Sequence, residues 1–170
     1  MKNKRIRYYV EGKDDQIVVD TLKAELNLIK SGKVQVFNVV SEEITDLRLR
    51  DFSPNTTVVL VFDTDVDSPE ILNKNIQKLR RCKAVSEVVT IPQVSKLEDE
   101  LVRSCDIRNI KELLNSQSIE HFKRDILHVT NLGAKLREHK FDINLFWSAT
   151  PKNQYKNIPN QADQIKIVAR

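Results

Sequence analysis

The chain has few of the residues on which several classes of site depend. Only three of its 170 residues are glycine and no GxxxxGK[ST] loop occurs, which excludes an ATP site of the P-loop kind. Its two cysteines, Cys82 and Cys105, have neither CxxC spacing nor a histidine-cysteine cluster, so we expect a reduced, cytoplasmic protein. Aromatic residues make up 6% of the chain and are not interleaved with the basic runs, which argues against stacking of single-stranded bases.

Long apolar runs are also missing. Nowhere do about 18 apolar residues follow one another, and the basic residues 1–7 do not lead into the apolar segment of a signal peptide. We therefore expect a soluble protein without a membrane partner. The hydrophobic content of 40% is enough for one buried core. The net charge of +4 permits contact with phosphate backbones without requiring it.

The hydrophobic pattern predicts an α/β protein with a mostly parallel sheet. Residues 57–62 form an almost continuous apolar run, which is typical of a strand buried on both faces. Strands and helices alternate, an order that favours helices on both faces of a sheet of about four strands, with extra helices toward the C-terminus. The predicted strands are residues 6–10, 34–40, 57–62 and 87–91, and the predicted helices are residues 15–28, 69–82, 97–104, 107–114, 119–127 and 132–138.

We expect a single domain over residues 1–150, which includes the C-terminal helices. Residues 151–170 are rich in Asn, Gln and Lys and contain Pro151 and Pro159. That composition predicts a polar loop or tail, with a short edge strand at residues 165–168.

Two groups of carboxylates follow predicted strands. Glu11 comes directly after the first strand, and Asp63 and Asp65 come after the third. Ligands of open parallel sheets bind at the carboxyl ends of the strands, so we expect these three side chains to converge there. Carboxylate oxygens are hard ligands that suit Mg²⁺ or Mn²⁺.

The same residues resemble the Toprim family, which includes topoisomerases, bacterial primases, OLD-type nucleases and small RNA-maturation nucleases. Its pattern is a strand ending in Glu-Gly, a helix, and a strand ending in Asp-x-Asp, which here are Glu11-Gly12 and Asp63-Thr64-Asp65. The resemblance covers more than half of the chain. It implies a Toprim-like, Rossmann-like fold, Mg²⁺ or Mn²⁺ as the cofactor, and a catalytic role for Glu11, Asp63 and Asp65.

OLD-like and maturation-nuclease Toprim domains carry further acids. In this chain Asp15, beside Asp14, follows the Glu-Gly pair, and Glu98 and Asp99 follow the fourth predicted strand. The resemblance therefore implies two metal ions, one held by the three catalytic acids and one by Asp15 with Glu98 or Asp99. The implied metal ligands are Glu11, Asp15, Asp63, Asp65, Glu98 and Asp99.

The implied function is metal-dependent hydrolysis of phosphodiester bonds in a nucleic acid, either RNA or DNA. Two metal ions can stabilise both the attacking and the leaving oxygen of such a displacement. The chain lacks the tyrosine-bearing domain of a topoisomerase, the zinc module of a bacterial primase and the ATPase half of an OLD protein. Because the domain is small, we also expect a protein partner or a homodimer.

Each acid also has a purely structural interpretation. Gly12 suits a strand-end turn with a positive φ. The acids of residues 63–67, Asp67 above all, suit a turn or a helix cap. The acids of residues 14–15 and 98–100 suit helix N-termini, where the macrodipole favours negative charge.

Two other functions fit the same residues. The first is a non-catalytic subunit that binds metal and nucleic acid, or regulates a partner. The second is a receiver-like domain phosphorylated at Asp63, which fits less well because the pair Asp14-Asp15 already opens a helix. Basic clusters at residues 74–83 and 135–140 are either solvated faces or a nucleic-acid track, with Lys135 and Lys140 as candidates to balance phosphate charge.

Overall fold

A four-stranded, all-parallel sheet forms the centre of the protein, as the computed structural model shows for residues 4–66 and 68–167. The strand order is β2-β1-β3-β4. The predicted α/β, Rossmann-like fold with about four strands is therefore confirmed. The strands are β1 (Arg5–Val10), β2 (Lys33–Val36), β3 (Thr56–Asp63) and β4 (Val85–Gln93), and the α-helices are α1 (Lys13–Asp20), α2 (Asp46–Arg50), α3 (Glu70–Arg81), α4 (Leu97–Ser104), α5 (Ile119–His128) and α6 (Leu132–Glu138).

Alternating side chains of the strands build one core on each face of the sheet. On β3, Val59 and Val61 point into a core covered by α1, α4, α5 and α6. The intervening Val58, Leu60 and Phe62 point into a second core, which is covered by α3. Successive side chains of a strand point to opposite faces, so the apolar run of β3 is fully buried because it lies between two helical layers.

Several predicted element boundaries are wrong, for local reasons. The first helix continues from α1 into a π-helical turn, Thr21–Glu25, and does not reach Leu28, because Asn27 adopts a left-handed backbone with a φ of 53°. The second strand ends at Val36 rather than at residue 40. Instead of continuing the strand, the chain forms a turn in which the Asn38 side chain accepts hydrogen bonds from the backbone N–H groups of Val40 and Ser41.

Two further differences concern short helices. The sequence analysis missed α2, whose N-cap Thr45 accepts a hydrogen bond from the Arg48 N–H, because five residues are too few to show helical periodicity. The predicted helix over residues 107–114 is only a 3₁₀ turn, Ile110–Glu112.

Residues 151–167 pack closely against the sheet. They are irregular apart from a 3₁₀ turn, Ala162–Gln164, but Tyr155 and Ile158 are buried in the second core. Gln161 bonds to both backbone groups of Thr90, so this segment covers the outer edge of β4. In place of the predicted edge strand there is one antiparallel bridge between Ile29 and Lys166, and Val168 lies outside the described residues. None of the described helices is long and apolar enough to cross a membrane.

A buried amide on α3 holds the loop that leads from β2 to α2. Asn75 is fully buried, its Oδ1 accepts a hydrogen bond from the Ile44 N–H at 2.8 Å, and its Nδ2 donates to the carbonyls of Val39 and Glu42 at 2.8 and 2.7 Å. The loop begins with Asn38, whose side chain reaches the carboxyl end of β1. Asn75 therefore fixes a loop that borders the carboxyl-terminal edge of the sheet.

We predict that Asn75→Ala lowers the free energy of unfolding by about 2–4 kcal/mol, because it leaves the buried Ile44 N–H and Val39 carbonyl without this partner and removes a third hydrogen bond to the Glu42 carbonyl. Chemical denaturation monitored by circular dichroism would measure the loss. Asn73→Ala, at an exposed position of the same helix, is the matched control and should change stability by less than about 0.5 kcal/mol. Equal effects of the two substitutions would contradict the structural role of Asn75.

Candidate active site

An acidic cleft lies at the carboxyl ends of the strands, where β1 and β3 are neighbours. The chain leaves β1 toward β2 on one side and leaves β3 toward β4 on the other, so this is the topological switch point at which open sheets bind ligands. The cleft has a volume of about 570 Å³. It is lined by Glu11, Gly12, Lys13, Asp14, Asp15, Asn38, Asp63, Asp65, Lys96, Leu97, Glu98, Lys123 and Leu127.

Glu11 is held at the junction of β1 and β3. Its Oε2 accepts a hydrogen bond of 2.7 Å from the Asp63 N–H, and its Oε1 accepts one of 3.2 Å from Asn38 Nδ2. The first bond is possible because β1 and β3 end in register, with Val10 opposite Val61. Both carboxylate oxygens of Glu11 therefore have a fixed direction.

A glutamine joins two of the other acids. Gln93 is the last residue of β4 and the register partner of Asp63. Its Nε2 donates to Asp63 Oδ1 at 2.8 Å and to Asp15 Oδ1 at 3.0 Å, and its side chain is fully buried. The other oxygen of Asp15 accepts a hydrogen bond of 3.0 Å from the Gly12 N–H, so Asp15 also serves the helix-capping role that its position suggested.

Gly12 does not need the positive φ that would explain a glycine at a strand-end turn. Its φ is −143°, which any residue can adopt. A Cβ at this position would lie 2.9 Å from Asp14 Oδ1, the end of a side chain that can move. We therefore find no backbone requirement for glycine here.

Loss of hydration, and then the neighbouring carboxylates, raise the pKa of the acids in this cleft. Burial, followed by the negative charges of Glu11 and Asp15, raises the pKa of Asp63 from 3.8 to about 9. Burial, followed by the charge of Asp14, raises the pKa of Asp15 to about 7. Burial also raises the pKa of Glu11. The site thus groups acids whose pKa values are raised, and none of the three forms an ion pair among the described residues. Perturbed pKa values of this kind are frequent at functional sites.

Of the six predicted metal ligands, five line the cleft. Glu11, Asp15, Asp63, Asp65 and Glu98 belong to its walls. The sixth does not.

Asp99 is held away from the cleft, contrary to the prediction. Its carboxylate accepts hydrogen bonds from the N–H and the hydroxyl of Ser95, at 3.3 and 2.9 Å, in the loop before α4. Glu100 is also turned away, because it is fully buried and pairs with Arg103. Of the three acids on this helix only Glu98 lines the cleft, since successive residues of a helix point in different directions. Asp67, for which we predicted a turn, lies outside the described residues.

The donors suit a hard divalent cation, but they are not assembled around one point. All of the acids offer carboxylate oxygens, the ligands that Mg²⁺ and Mn²⁺ prefer. Nevertheless, no three aspartate, glutamate, histidine or cysteine side chains in residues 4–66 and 68–167 form a ready coordination set. Between Asp15 and Asp63 lies the amide of Gln93. Metal binding at this site would therefore require these side chains to move.

Sequence reasoning missed the neutral residues that organise the acids. Gln93 lies at the carboxyl end of a strand, as Glu11 and Asp63 do. A glutamine in a sequence does not by itself indicate a metal site, so this position was not predicted. The indole N–H of Trp147 donates to Gln93 Oε1 at 3.0 Å, so Trp147 orients this amide in addition to packing in the core. Asn153 donates to the carbonyl of Thr64 at 2.8 Å and so holds the Asp-Thr-Asp loop from a segment predicted to be a tail.

Comparison with protein-family models, with curated proteins and with solved structures gives no match for this chain. The resemblance to Toprim proteins therefore rests on the order and placement of the acids themselves. Glu11 and Asp63 lie at the carboxyl ends of adjacent parallel strands. Their catalytic and metal-binding roles stay predictions.

We predict that pH changes stability through Asp63 in the metal-free protein. Its pKa is 3.8 in the unfolded chain and about 9 in the fold, so the folded state binds the extra proton between these values. The stabilisation is complete below pH 3.8 and is lost as the pH rises through 9. Relative to Asp63→Asn, which cannot titrate, wild type should lose up to about 1.4 kcal/mol of unfolding free energy per pH unit in this window.

Denaturation of both proteins in chelator, from pH 4 to pH 9, would measure this difference. Asn keeps the oxygen that accepts from Gln93, so the substitution preserves that hydrogen bond. Glu120→Gln, on an exposed position of α5 outside the cleft, is the control and should track wild type at every pH. A constant difference between wild type and Asp63→Asn would contradict the raised pKa.

Proposed function

We propose that this protein is a Toprim-type phosphodiesterase that hydrolyses RNA or DNA with the help of Mg²⁺ or Mn²⁺. The observation that carries the proposal is a group of three carboxylates at the switch point of a parallel sheet, of which Asp15 is buried and Glu11 and Asp63 are half-buried. Their mutual repulsion favours the binding of divalent cations. Free Cys82 and Cys105 agree with a cytoplasmic location.

The cleft suggests how metal ions would be shared among the acids. Glu11, Asp63 and Asp65 would hold one ion, and Asp15 with Glu98 would hold the other. Bound there, divalent cations would stabilise negative charge on the attacking and leaving oxygens of the phosphodiester. Asp99 no longer belongs to the proposed ligand set, because its carboxylate is bound to Ser95.

Unpaired lysines around the same cleft support a phosphate substrate. Lys13, Lys96 and Lys123 line it together with the acids. None of the three forms an ion pair with a carboxylate of the described residues. A ligand that carries anionic oxygens and is accompanied by metal cations would satisfy both sets of charges, and a phosphodiester backbone has this character. Lys135 and Lys140, the candidates chosen from the sequence, do not line the cleft.

We predict that wild type cleaves labelled RNA or DNA in Mg²⁺ or Mn²⁺, that chelator abolishes cleavage, and that Asp63→Asn lowers the rate at least about 100-fold. The reason is that Asp63 contributes both to the ligand set and to the charge that attracts the ions. Single-turnover cleavage of a mixture of single- and double-stranded substrates would measure the rates and identify the polymer.

The control for this assay is Glu120→Gln, which should retain the wild-type rate. Circular dichroism must show that Asp63→Asn remains folded. Cleavage that persists in chelator, or that Asp63→Asn retains in full, would disprove the proposed role of the acidic cleft.

A second prediction concerns the lysines. Lys123→Ala should weaken nucleic-acid binding and reduce the slope of log affinity against log salt concentration by about 1, because one phosphate contact is lost. Fluorescence anisotropy in chelator, at several salt concentrations, would measure both quantities. Arg124→Ala is the matched control, since it removes the adjacent exposed cation of α5, which does not line the cleft. Equal effects of both substitutions would indicate attraction by net charge alone.

The second candidate function is a non-catalytic subunit that binds metal and nucleic acid and needs a protein partner or a second copy. One observation favours it. Both oxygens of Glu11 already accept hydrogen bonds, and no ready set of three ligands exists among the described residues. Binding of metal and nucleic acid without cleavage would support this candidate over the nuclease.

A further inference from the structure

The amide of Gln93 occupies the space between two of the proposed ligands. Its Nε2 lies 3.0 Å from Asp15 Oδ1 and 2.8 Å from Asp63 Oδ1. The side chain is fully buried, and its Oε1 accepts the indole N–H of Trp147 at 3.0 Å. All polar atoms of this side chain therefore have partners.

The Trp147 bond determines which way the amide points. An indole N–H can only donate, so it must face the amide oxygen, and both N–H bonds of Gln93 are directed at the carboxylates. Oε1 is the only side-chain atom of Gln93 that could ligate a cation, and it faces Trp147 rather than the carboxylates. Toward Asp15 and Asp63, Gln93 can act only as a hydrogen-bond donor.

We propose that Gln93, oriented by Trp147, takes the place of a cation between Asp15 and Asp63 in the metal-free protein and competes with a divalent ion for them. This inference rests on the proposed function insofar as the cleft binds metal. An N–H···O bond spans about 2.9 Å, whereas an Mg–O bond spans about 2.1 Å. The two N–H bonds diverge, so the two Oδ1 atoms that they hold are too far apart to bind one magnesium ion together. An ion that binds either Oδ1, whether one ion or two occupy the cleft, competes with the Gln93 hydrogen bond to that oxygen. Gln93 is thus a positioning residue that opposes the metal-bound arrangement.

The anchor of Gln93 is itself firmly fixed. Trp147 is 1% exposed, its ring lies 4.6 Å from that of Phe146, and its carbonyl accepts a hydrogen bond of 2.8 Å from Asn160. Trp147 is also the only tryptophan of the chain. Its fluorescence therefore reports on the Gln93 bond without any added label.

The test is titration of Mg²⁺ into wild type and Gln93→Met, followed by calorimetry and by tryptophan emission. Methionine keeps the approximate volume but has no N–H donor. We expect the variant to bind Mg²⁺ at least about tenfold more tightly, because the ion no longer competes with the hydrogen bonds from Gln93. Wild-type emission should change to saturation with Mg²⁺, and the variant should lose this change. Gln16→Met, at a half-buried position of α1, is the control and should match wild type.

Trp147→Phe provides a second variant in case Gln93→Met does not fold. Phenylalanine keeps an aromatic ring next to Phe146 but removes the N–H that orients Gln93. Calorimetry should again show tighter Mg²⁺ binding, by severalfold, because a less firmly oriented amide competes less well. Circular dichroism would confirm that the fold is retained.

The outcomes separate this inference from the proposed function. Unchanged or weaker Mg²⁺ binding by the folded variants overturns the competition, while wild-type binding and cleavage would leave the nuclease intact. Tighter binding by the variants, in a protein that cleaves no nucleic acid, supports the competition and overturns the nuclease. No Mg²⁺ binding by wild type or by any variant overturns both.

Discussion

Partial burial and mutual repulsion of the carboxylates of Glu11, Asp15 and Asp63 form the constraint on which the acidic edge of the sheet depends. Each of these groups loses hydration on burial, and each lies in the field of another acid. Such a group must either take up a proton or be stabilised by hydrogen-bond donors or a cation. In the structure, the Asp63 N–H, Asn38 and Gln93 supply the donors.

The supports of these donors come from both layers and from the last segment of the chain. On one face, Asn75 of α3 holds the loop that carries Asn38. On the other face, Trp147 fixes Gln93. In the last segment of the chain, Asn153 holds the carbonyl of Thr64. Residues far apart in sequence thus determine where the acids lie. Loss of one support would alter the cleft without removing any acid from it.

The sequence was informative where one residue type has one main role. The apolar run of β3 identified a doubly buried parallel strand, and acids at strand ends identified the cleft, because the carboxyl ends of parallel strands share one edge. Features that depend on distant partners could not be predicted in this way. Asp99 and Glu98 are adjacent in sequence, yet Glu98 lines the cleft while Asp99 bonds to Ser95. Gln93 gains its importance from Asp15, Asp63 and Trp147, which lie 78, 30 and 54 positions away.

Protons, the Gln93 amide and divalent cations interact with the same carboxylates. A proton on Asp63 removes the charge that an ion would meet, whereas the hydrogen bond from Gln93 favours the charged carboxylate and occupies one of its oxygens. A bound ion would displace the proton and compete with the hydrogen bond. In the metal-free protein these carboxylates therefore already have hydrogen-bond partners within the fold. Under the proposed function, this arrangement would keep the acids apart until cations bind, so that assembly of the catalytic centre and the arrival of the metal are the same event.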